Sequence, residues 1–221
     1  MRTIRVTGRG NIKVKPDMTR LTLQLEGTYP EYSDALRHSS EDTERLKDAL
    51  EPLGFARTDL KTLSFDIDAK YENYRDKKGN YKQRFAGYQF EHEMKLEFLS
   101  DNDRLGKTLY ALAHSSVNPE IRISYTVKDR EGAKNELLGR AVTDAREKAE
   151  VLTKAAGVTL KEIQSIDYSW GEVHFDFETR PVRDALMIAE GAAPTERSRS
   201  LDIEPDDIEV SDIVTVVWEI A

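Results

Sequence analysis

Alternating apolar and polar positions predict most of the strands of this chain. In the segment 18–28, Leu21, Leu23 and Leu25 alternate with polar residues. Successive side chains of a strand point to opposite faces, so this pattern predicts a strand with one buried face. The same alternation predicts three further strands, at 63–71, 88–98 and 121–127. The polar stretch 72–82 joins the two longest of these segments and predicts that they form a hairpin.

The two ends of the chain also predict strands. Residues 4–14 form two short β-prone runs around Gly8-Arg9-Gly10-Asn11, which suits a tight hairpin. Residues 213–220 are rich in β-branched side chains. They predict a strand that either joins the sheet of its own chain or is given to another subunit.

Three segments repeat apolar residues with the period of an α-helix: 32–51, a short one that starts with a capping box at 100–103, and 130–156. In the third segment the apolar residues recur at steps of four and three. They form a stripe that comprises Leu138, Val142, Ala145, Ala149, Leu152 and Ala156. Small side chains let a helix lie close against a sheet, and Gly157 predicts its end in a left-handed residue.

The order of these elements predicts an α+β fold, with an antiparallel or mixed β-sheet covered by helices. Strand, helix and strand follow one another twice, which suggests an internal duplication of 18–71 and 88–127. We expect a single domain over residues 1–221, with the long helix near 130–156. The pattern weakens over 171–207, which predicts an irregular loop or a segment that contacts another subunit.

Composition excludes several classes of function. The net charge of −8 over 221 residues argues against a nucleic-acid partner, which needs clustered Lys and Arg. There is no cysteine, and therefore no disulfide or thiolate metal site. No apolar run has the length of a transmembrane segment or a signal peptide. As printed, the sequence predicts a cytoplasmic protein, and a periplasmic or cell-envelope one if an export signal has been removed.

Few residues suggest chemistry. On a strand, His174, Asp176 and Glu178 would point to the same side and offer nitrogen and oxygen ligands to a divalent metal ion. Asp66 and Asp68 have the same spacing, but their side of the strand looks exposed, which does not suit a general acid. No serine elbow or paired histidine supports nucleophilic catalysis, so we expect no catalytic residues, no cofactor and no enzyme activity.

Tyrosines cluster around the predicted hairpin, at positions 71, 74, 81 and 88. Aromatic side chains at the tip of a hairpin either pack across the two strands or form a contact surface for a partner. The sequence leaves both interpretations open.

Four motifs together resemble the SIMPL-domain family. They are I-x-V-T-G-x-G at 4–10 with Pro16-Asp17, Asp59-Leu60-Lys61-Thr62, A-V-T-D-A-R-E-K-A-E-x-L-x-x-A-A-G-V at 141–158, and the ending I-E-P-D-D-I-E-V-S-D-I-V-T-V-V-W-E-I at 203–220. The resemblance covers nearly the whole chain. It implies a bacterial protein from a largely uncharacterised family without agreed catalytic residues. That family includes exported periplasmic or surface antigens, a protein that assembles into a large hollow ring, and a kinase-associated eukaryotic adaptor.

We therefore expect a non-enzymatic assembly or interaction protein that self-associates, in stress or envelope physiology. Long alternating strands leave unpaired edges, which must pair with something or aggregate. The expected partners are further copies of this chain first, and a different protein second. The alternative is a small-ligand or metal-binding module that uses His174, Asp176 and Glu178.

Overall fold

A computed structural model describes residues 2–75, 79–168, 177–178 and 203–221 of the chain. The elements are β1 (Arg2–Val14), β2 (Met18–Tyr29), α1 (Tyr32–Leu50), β3 (Lys61–Arg75), β4 (Tyr81–Leu99), α2 (Asn102–Ala113), β5 (Glu120–Thr126), α3 (Arg130–Ala156), β6 (Leu160–Tyr168), β7 (Phe177–Glu178) and β8 (Ile208–Ile220). They build two antiparallel sheets and three helices, which confirms the predicted α+β class.

The elements form two compact units. The central unit contains 18–125 and 178–204, and the terminal unit contains 1–17, 126–177 and 205–221. The expectation of one domain over residues 1–221 stays a prediction, as does the suggested duplication.

The central unit has a five-stranded sheet in the order β3-β4-β2-β5-β7. β4 pairs antiparallel with β2 from Met18↔Leu99 to Tyr29↔Tyr88, and it also pairs antiparallel with β3. The predicted hairpin of the two long strands is therefore confirmed. Strand-helix-strand occurs twice in the chain order β2-α1-β3 and β4-α2-β5. The two halves interleave in the sheet, as in a split β-α-β arrangement.

The core of the central unit lies between one face of this sheet and the helices α1 and α2. The apolar residues of β2, β4 and β5 point into it, and Leu21, Leu23 and Leu96 are fully buried. The edge strand β3 lacks the buried face that its alternation predicted, since Leu63 and Phe65 are 49% and 39% exposed. Leu46 of α1 and Leu112 of α2 are fully buried against them. The other face of the sheet carries the polar residues of the same strands, because side chains alternate along each strand.

The terminal unit has a three-stranded sheet in the order β1-β8-β6. β8 lies in the middle and pairs with β1 over the full length from Arg2↔Ile220 to Val14↔Ile208. The C-terminal strand thus joins the sheet of its own chain, which decides between the two alternatives that the sequence left open. Deleting 211–221 would remove the central strand of this sheet.

The expected hairpin at Gly8-Arg9-Gly10-Asn11 is wrong, because β1 runs straight through these residues. The two glycines have a different role. A Cβ at Gly8 would lie 2.1 Å from the Ala141 carbonyl oxygen, and one at Gly10 would lie 2.1 Å from the Leu137 carbonyl oxygen. The glycines therefore let the backbone of α3 lie directly on β1.

The buried side of α3 also differs from the predicted stripe. It follows a row at steps of four, which comprises Leu137, Ala141, Ala145, Ala149 and Thr153. Ala145 and Ala149 were predicted correctly, but Leu152 is 51% exposed and Ala156 is exposed. A row at steps of four is inclined to the helix axis. The contact with the strands therefore moves around the helix along its length.

Side chains of α3 cover the outer edge of β1. The backbone N–H of Arg9 donates to the Asp144 carboxylate at 2.6 Å, and Arg140 donates to the Asn11 carbonyl oxygen at 3.0 Å. These bonds satisfy backbone groups that an edge strand otherwise leaves unpaired. At the other edge, β6 exposes Ile163 and Ile166 at 49% and 46%.

The ends of two helices show how local sequence sets their bounds. The predicted cap of α2 is wrong by one residue, because Asp101 and not Ser100 accepts the bond from the Arg104 N–H, at 2.9 Å. The end of α3 is as predicted. Gly157 is left-handed at φ 70°, and the Val158 N–H donates to the Thr153 carbonyl oxygen at 3.0 Å, as in a Schellman motif.

Candidate interaction surface

The hairpin of β3 and β4 extends beyond the rest of the central sheet. β2 ends at Tyr29, which pairs with Tyr88. Past this point β4 has lost β2 as a neighbour, and its pairing with β3 continues as far as Arg75↔Tyr81. We call residues 70–86 the arm, of which the structure describes 70–75 and 79–86. The arm is a two-stranded ribbon, and an isolated ribbon of this kind is only marginally stable in water.

Aromatic side chains of the arm are exposed to an unusual degree. Tyr81 is 72% exposed, Tyr71 59%, Phe85 48% and Tyr74 41%. Two rings also pack across the strands, since Tyr71 and Phe85 meet edge to face with their centroids 5.8 Å apart. Cross-strand packing and an exposed contact surface are therefore both present. The rings stabilise the ribbon and still leave apolar area in water.

The arm carries a positive charge on an acidic protein. Residues 70–86 contain six Lys or Arg and two Asp or Glu, a net charge of +4, so the other residues sum to −12. One of the positive charges is paired, because Arg84 forms an ion pair with Glu72 at 2.9 Å. Arg75 lies over the Tyr81 ring at 4.5 Å from its centroid. Such a contact adds a cation–π attraction to the ribbon.

Carboxylates line the open face of the same sheet. Glu91 of β4 pairs with Glu26 of β2 on one side and with Asp66 of β3 on the other, so three carboxylates stand in one row across three strands. Asp68 lies two residues along β3 on the same face. We call these four residues the carboxylate face: Glu26, Asp66, Asp68 and Glu91. All four are exposed, which agrees with the expectation that Asp66 and Asp68 lie on the solvated side of their strand.

Nothing neutralises this face within the part of the chain that the structure describes. The Gln89 amide lies 3.4 Å from a Glu26 carboxylate oxygen and 3.3 Å from one of Glu91. No Lys or Arg of the described residues forms an ion pair with any of the four carboxylates. Like charges directly opposite each other destabilise a sheet. The carboxylate face therefore destabilises the folded sheet, and a bound cation would reduce this repulsion.

A shallow cavity continues the carboxylate face at Glu26. It has a volume of about 300 Å³ and lies among β2, α1 and the loop before β5. Asp42 and Glu120 add two further acidic side chains to its lining. Both are paired with arginines, Asp42 with Arg45 at 2.8 Å and Glu120 with Arg122 at 3.8 Å, so Glu26 is the unpaired carboxylate of this recess among its described lining residues.

Comparison with known proteins places the chain in a family. The family SIMPL, described as a protein of unknown function (DUF541), matches residues 4–218. The chain belongs to the SIMPL family. This confirms the resemblance that the sequence motifs indicated.

Three relatives show how far the similarity extends. The chain is 29% identical over 164 residues to the 26 kDa periplasmic immunogenic protein of Brucella abortus (strain S19), and equally so to that of Brucella melitensis biotype 1. The match covers 74% of this chain and 65% of either relative, so it spans just under two thirds of their length. The chain is also 23% identical over 215 residues to the uncharacterized protein YggE of Edwardsiella ictaluri (strain 93-146), covering 97% of this chain and 85% of YggE.

The SIMPL chain also contains a buried histidine network that the sequence did not reveal. His92 of β4 is 8% exposed. Its Nε2 lies 2.8 Å from the Thr62 hydroxyl oxygen, and its Nδ1 lies 3.2 Å from that of Thr43. The Thr43 hydroxyl donates to the Ser39 carbonyl oxygen at 2.8 Å, so it accepts from Nδ1–H, and Nε2 accepts from Thr62.

This network leaves His92 neutral. Burial, together with the positive charge of Lys47, lowers the pKa of His92 below its ordinary value of 6.5. Because every polar atom of the ring is satisfied by a hydroxyl, the arrangement connects α1, β3 and β4. We interpret it as structural, since no acidic side chain of the described residues bonds to the imidazole.

The expected metal ligands lie largely outside the described residues. This is the case for His174 and Asp176, and only the backbone of Glu178 is described, in β7. The described ranges contain no group of three His, Asp or Glu side chains that could hold a metal ion. The metal-binding alternative therefore stays a prediction, as does the role expected for 171–207. Among the helices that the structure describes, none is long and apolar enough to cross a membrane.

Proposed function

We propose that this SIMPL protein is a non-enzymatic assembly protein that self-associates through its arm. The observation that carries the proposal is the exposed aromatic ribbon at 70–86. A two-stranded ribbon gains little stability by itself, and its four exposed aromatic rings would be buried in a contact with another molecule. Tyrosine is enriched at protein interfaces, because it offers a large rigid surface with a polar end.

The cell envelope is the location that we propose for this assembly. Support comes from the Brucella relatives, whose name describes them as periplasmic and immunogenic. A function in stress or envelope physiology belongs to the same proposal. Fractionation of the native organism, with detection of this chain in the periplasmic extract, tests the location independently of the assembly.

Absolute molar mass in solution tests the assembly. We expect size-exclusion chromatography with light scattering to give a multiple of 25.2 kDa for the wild-type chain. Replacing three exposed rings of the arm, in the variant Tyr71→Ser/Tyr81→Ser/Phe85→Ser, should reduce the mass to that of one chain. The reason is that the apolar area of the proposed contact is lost.

A matched variant controls for the loss of exposed apolar surface. Leu36→Ser/Tyr110→Ser/Val151→Ser removes three side chains of similar exposure that lie on α1, α2 and α3 rather than on the arm. We expect it to keep the wild-type mass. A wild-type chain that stays monomeric at 100 μM, or an arm variant that keeps the full mass, would contradict the proposal.

A further inference from the structure

We infer that the arm of one copy docks on the carboxylate face of a second copy of this chain. The inference rests on the proposed self-association and names the surface that receives the arm. Two features support it: the complementary charge of the two surfaces, and the exposure of both.

The arm and the carboxylate face carry opposite charges. The arm has a net charge of +4 in a chain of net charge −8. The carboxylate face presents four exposed acidic groups without an ion pair among the described residues. A second copy therefore supplies both the cations that the face lacks and the anions that suit the arm. Complementary potentials of this kind favour encounter and fix the orientation of two partners.

In the free chain, the carboxylates of the face repel one another. Three carboxylates in one cross-strand row repel one another in the free chain. Lysine or arginine side chains placed over the row would replace this repulsion by attraction. Partial exclusion of water by the tyrosine rings would strengthen that attraction, because charges interact more strongly where the effective dielectric constant is lower.

The symmetry of the contact determines how many chains it can join. The arm and the carboxylate face are different surfaces, so two copies either exchange arms about a two-fold axis or dock head to tail, with one arm and one face left free. Head-to-tail contacts continue from copy to copy until they close into a ring or extend as a filament. The measured mass distinguishes a reciprocal dimer from these larger assemblies.

Charge reversal on each surface gives a test with an internal rescue. The arm-reversed variant, Lys70→Glu/Lys82→Glu/Arg84→Glu, changes the charge of the arm from +4 to −2. The face-reversed variant, Glu26→Lys/Asp66→Lys/Glu91→Lys, changes the charge of the carboxylate face from −4 to +2. In either variant alone, the arm and the face carry the same sign and repel each other. We expect each to run as a single chain of 25.2 kDa, with at least a tenfold weaker self-association than the wild type.

Mixing the two variants restores opposite charges at both contacts. The reversed arm meets the reversed face, and the native arm meets the native face. We expect an equimolar mixture to regain the wild-type mass, with the two chains in equal amounts. Glu147→Lys/Glu162→Lys/Asp167→Lys changes the net charge as much as the face reversal does, at exposed positions of α3 and β6. This control should assemble like the wild type.

Binding of another ligand to the arm or to the carboxylate face would give different results. Wild-type mass in the face-reversed variant alone would overturn the inference but leave the proposed function intact. A mixture that stays monomeric would also overturn it. If arm reversal then abolished sedimentation with phosphatidylglycerol vesicles, the arm would be assigned to an anionic lipid surface. If face reversal abolished the heat of calcium binding, the face would be assigned to a divalent cation. A monomeric wild type would instead remove the proposed function itself.

Discussion

At the scale of single residues, His92 shows how the fold of the central unit depends on a neutral imidazole. Its two nitrogens bond to hydroxyls of Thr62 on β3 and Thr43 on α1. A protonated ring would donate from Nε2 as well as from Nδ1, so the Thr62 hydroxyl would have to turn from donor to acceptor. The ring also meets Phe65 edge to face, with the centroids 5.1 Å apart.

The stability of the protein should therefore fall in mild acid because of His92. Its pKa is lower in the folded chain than the ordinary value of 6.5, so below that pH the unfolded chain binds the proton more readily. The contribution of this group is present above pH 6.5 and is lost as the pH falls towards the folded pKa. Urea unfolding at pH 7.5 and pH 5.5 measures the loss.

Substitution of His92 tests whether this residue causes the loss of stability in mild acid. We expect His92→Gln to lose about 1 kcal/mol at pH 7.5, since its hydrogen bonds are weakened, and to show a smaller change between the two pH values. His114→Gln, which removes an exposed imidazole of the same unit, is the matched control. An unchanged pH dependence in His92→Gln would contradict this assignment.

The sequence did not predict this network, for a physical reason. Alternation over 88–98 puts His92 on the same face of the strand as Phe90 and Met94, and that face is buried. Its partners are 30 and 49 residues away in the chain, and their position depends on strand register and on the crossing of α1. No local pattern contains that information.

At the scale of elements, the contact of α3 with β1 is set by two glycines. A Cβ at Gly8 would lie 2.1 Å from a carbonyl oxygen of the helix and 2.4 Å from the Ala145 nitrogen. Both are backbone atoms, so no side chain can move aside to make room. The helix would have to shift away from the sheet, and the buried alanine row would lose its packing.

We expect Gly8→Ala to destabilise the protein by about 2–3 kcal/mol, because it overpacks this contact. Gly139→Ala on the same helix is the matched control, since a Cβ there has nothing within 4 Å. It should stabilise the chain by about 1 kcal/mol through the better helix propensity of alanine. Thermal unfolding of both variants decides the question, and equal effects would contradict the close-approach role of Gly8.

The elements themselves were largely predictable. Alternation found the strands 63–71 and 88–98, and helical periodicity with Gly157 found α3 and its end. The error at residues 8–11 arose because glycine serves two purposes, a turn or a close approach of two backbones. Only the partner that packs on the strand distinguishes them, and that partner is 130 residues further along the chain.

At the scale of the whole molecule, the proposed assembly depends on an unequal distribution of charge. The tyrosines of the arm were recognised from the sequence, because they cluster in one hairpin. The carboxylate face was not, since its three-residue row comes from three segments and needs the register of β3, β4 and β2. The paired spacing of Asp66 and Asp68 was visible, but Glu91 and Glu26 lie on other strands.

Salt should weaken the assembly if the arm meets the carboxylate face. Screening shortens the Debye length from about 10 Å at 0.1 M salt to about 3 Å at 1 M. We therefore expect the average mass from sedimentation velocity to fall in 1 M NaCl, at a fixed protein concentration. An assembly held by apolar contacts alone would keep its mass, and that result would speak against a charged contact.

Side chains of α3 cover the edge of β1, and this limits how many chains the terminal unit can join by strand pairing. Asp144 and Arg140 occupy backbone groups on that edge, whereas β6 forms the other edge of the described sheet. Strand pairing through β6 can join two chains, and the described sheets of the two terminal units then have only the covered β1 edges left. This kind of pairing therefore stops at two chains. A particle with an odd number of chains would therefore exclude strand pairing through β6 as its only contact.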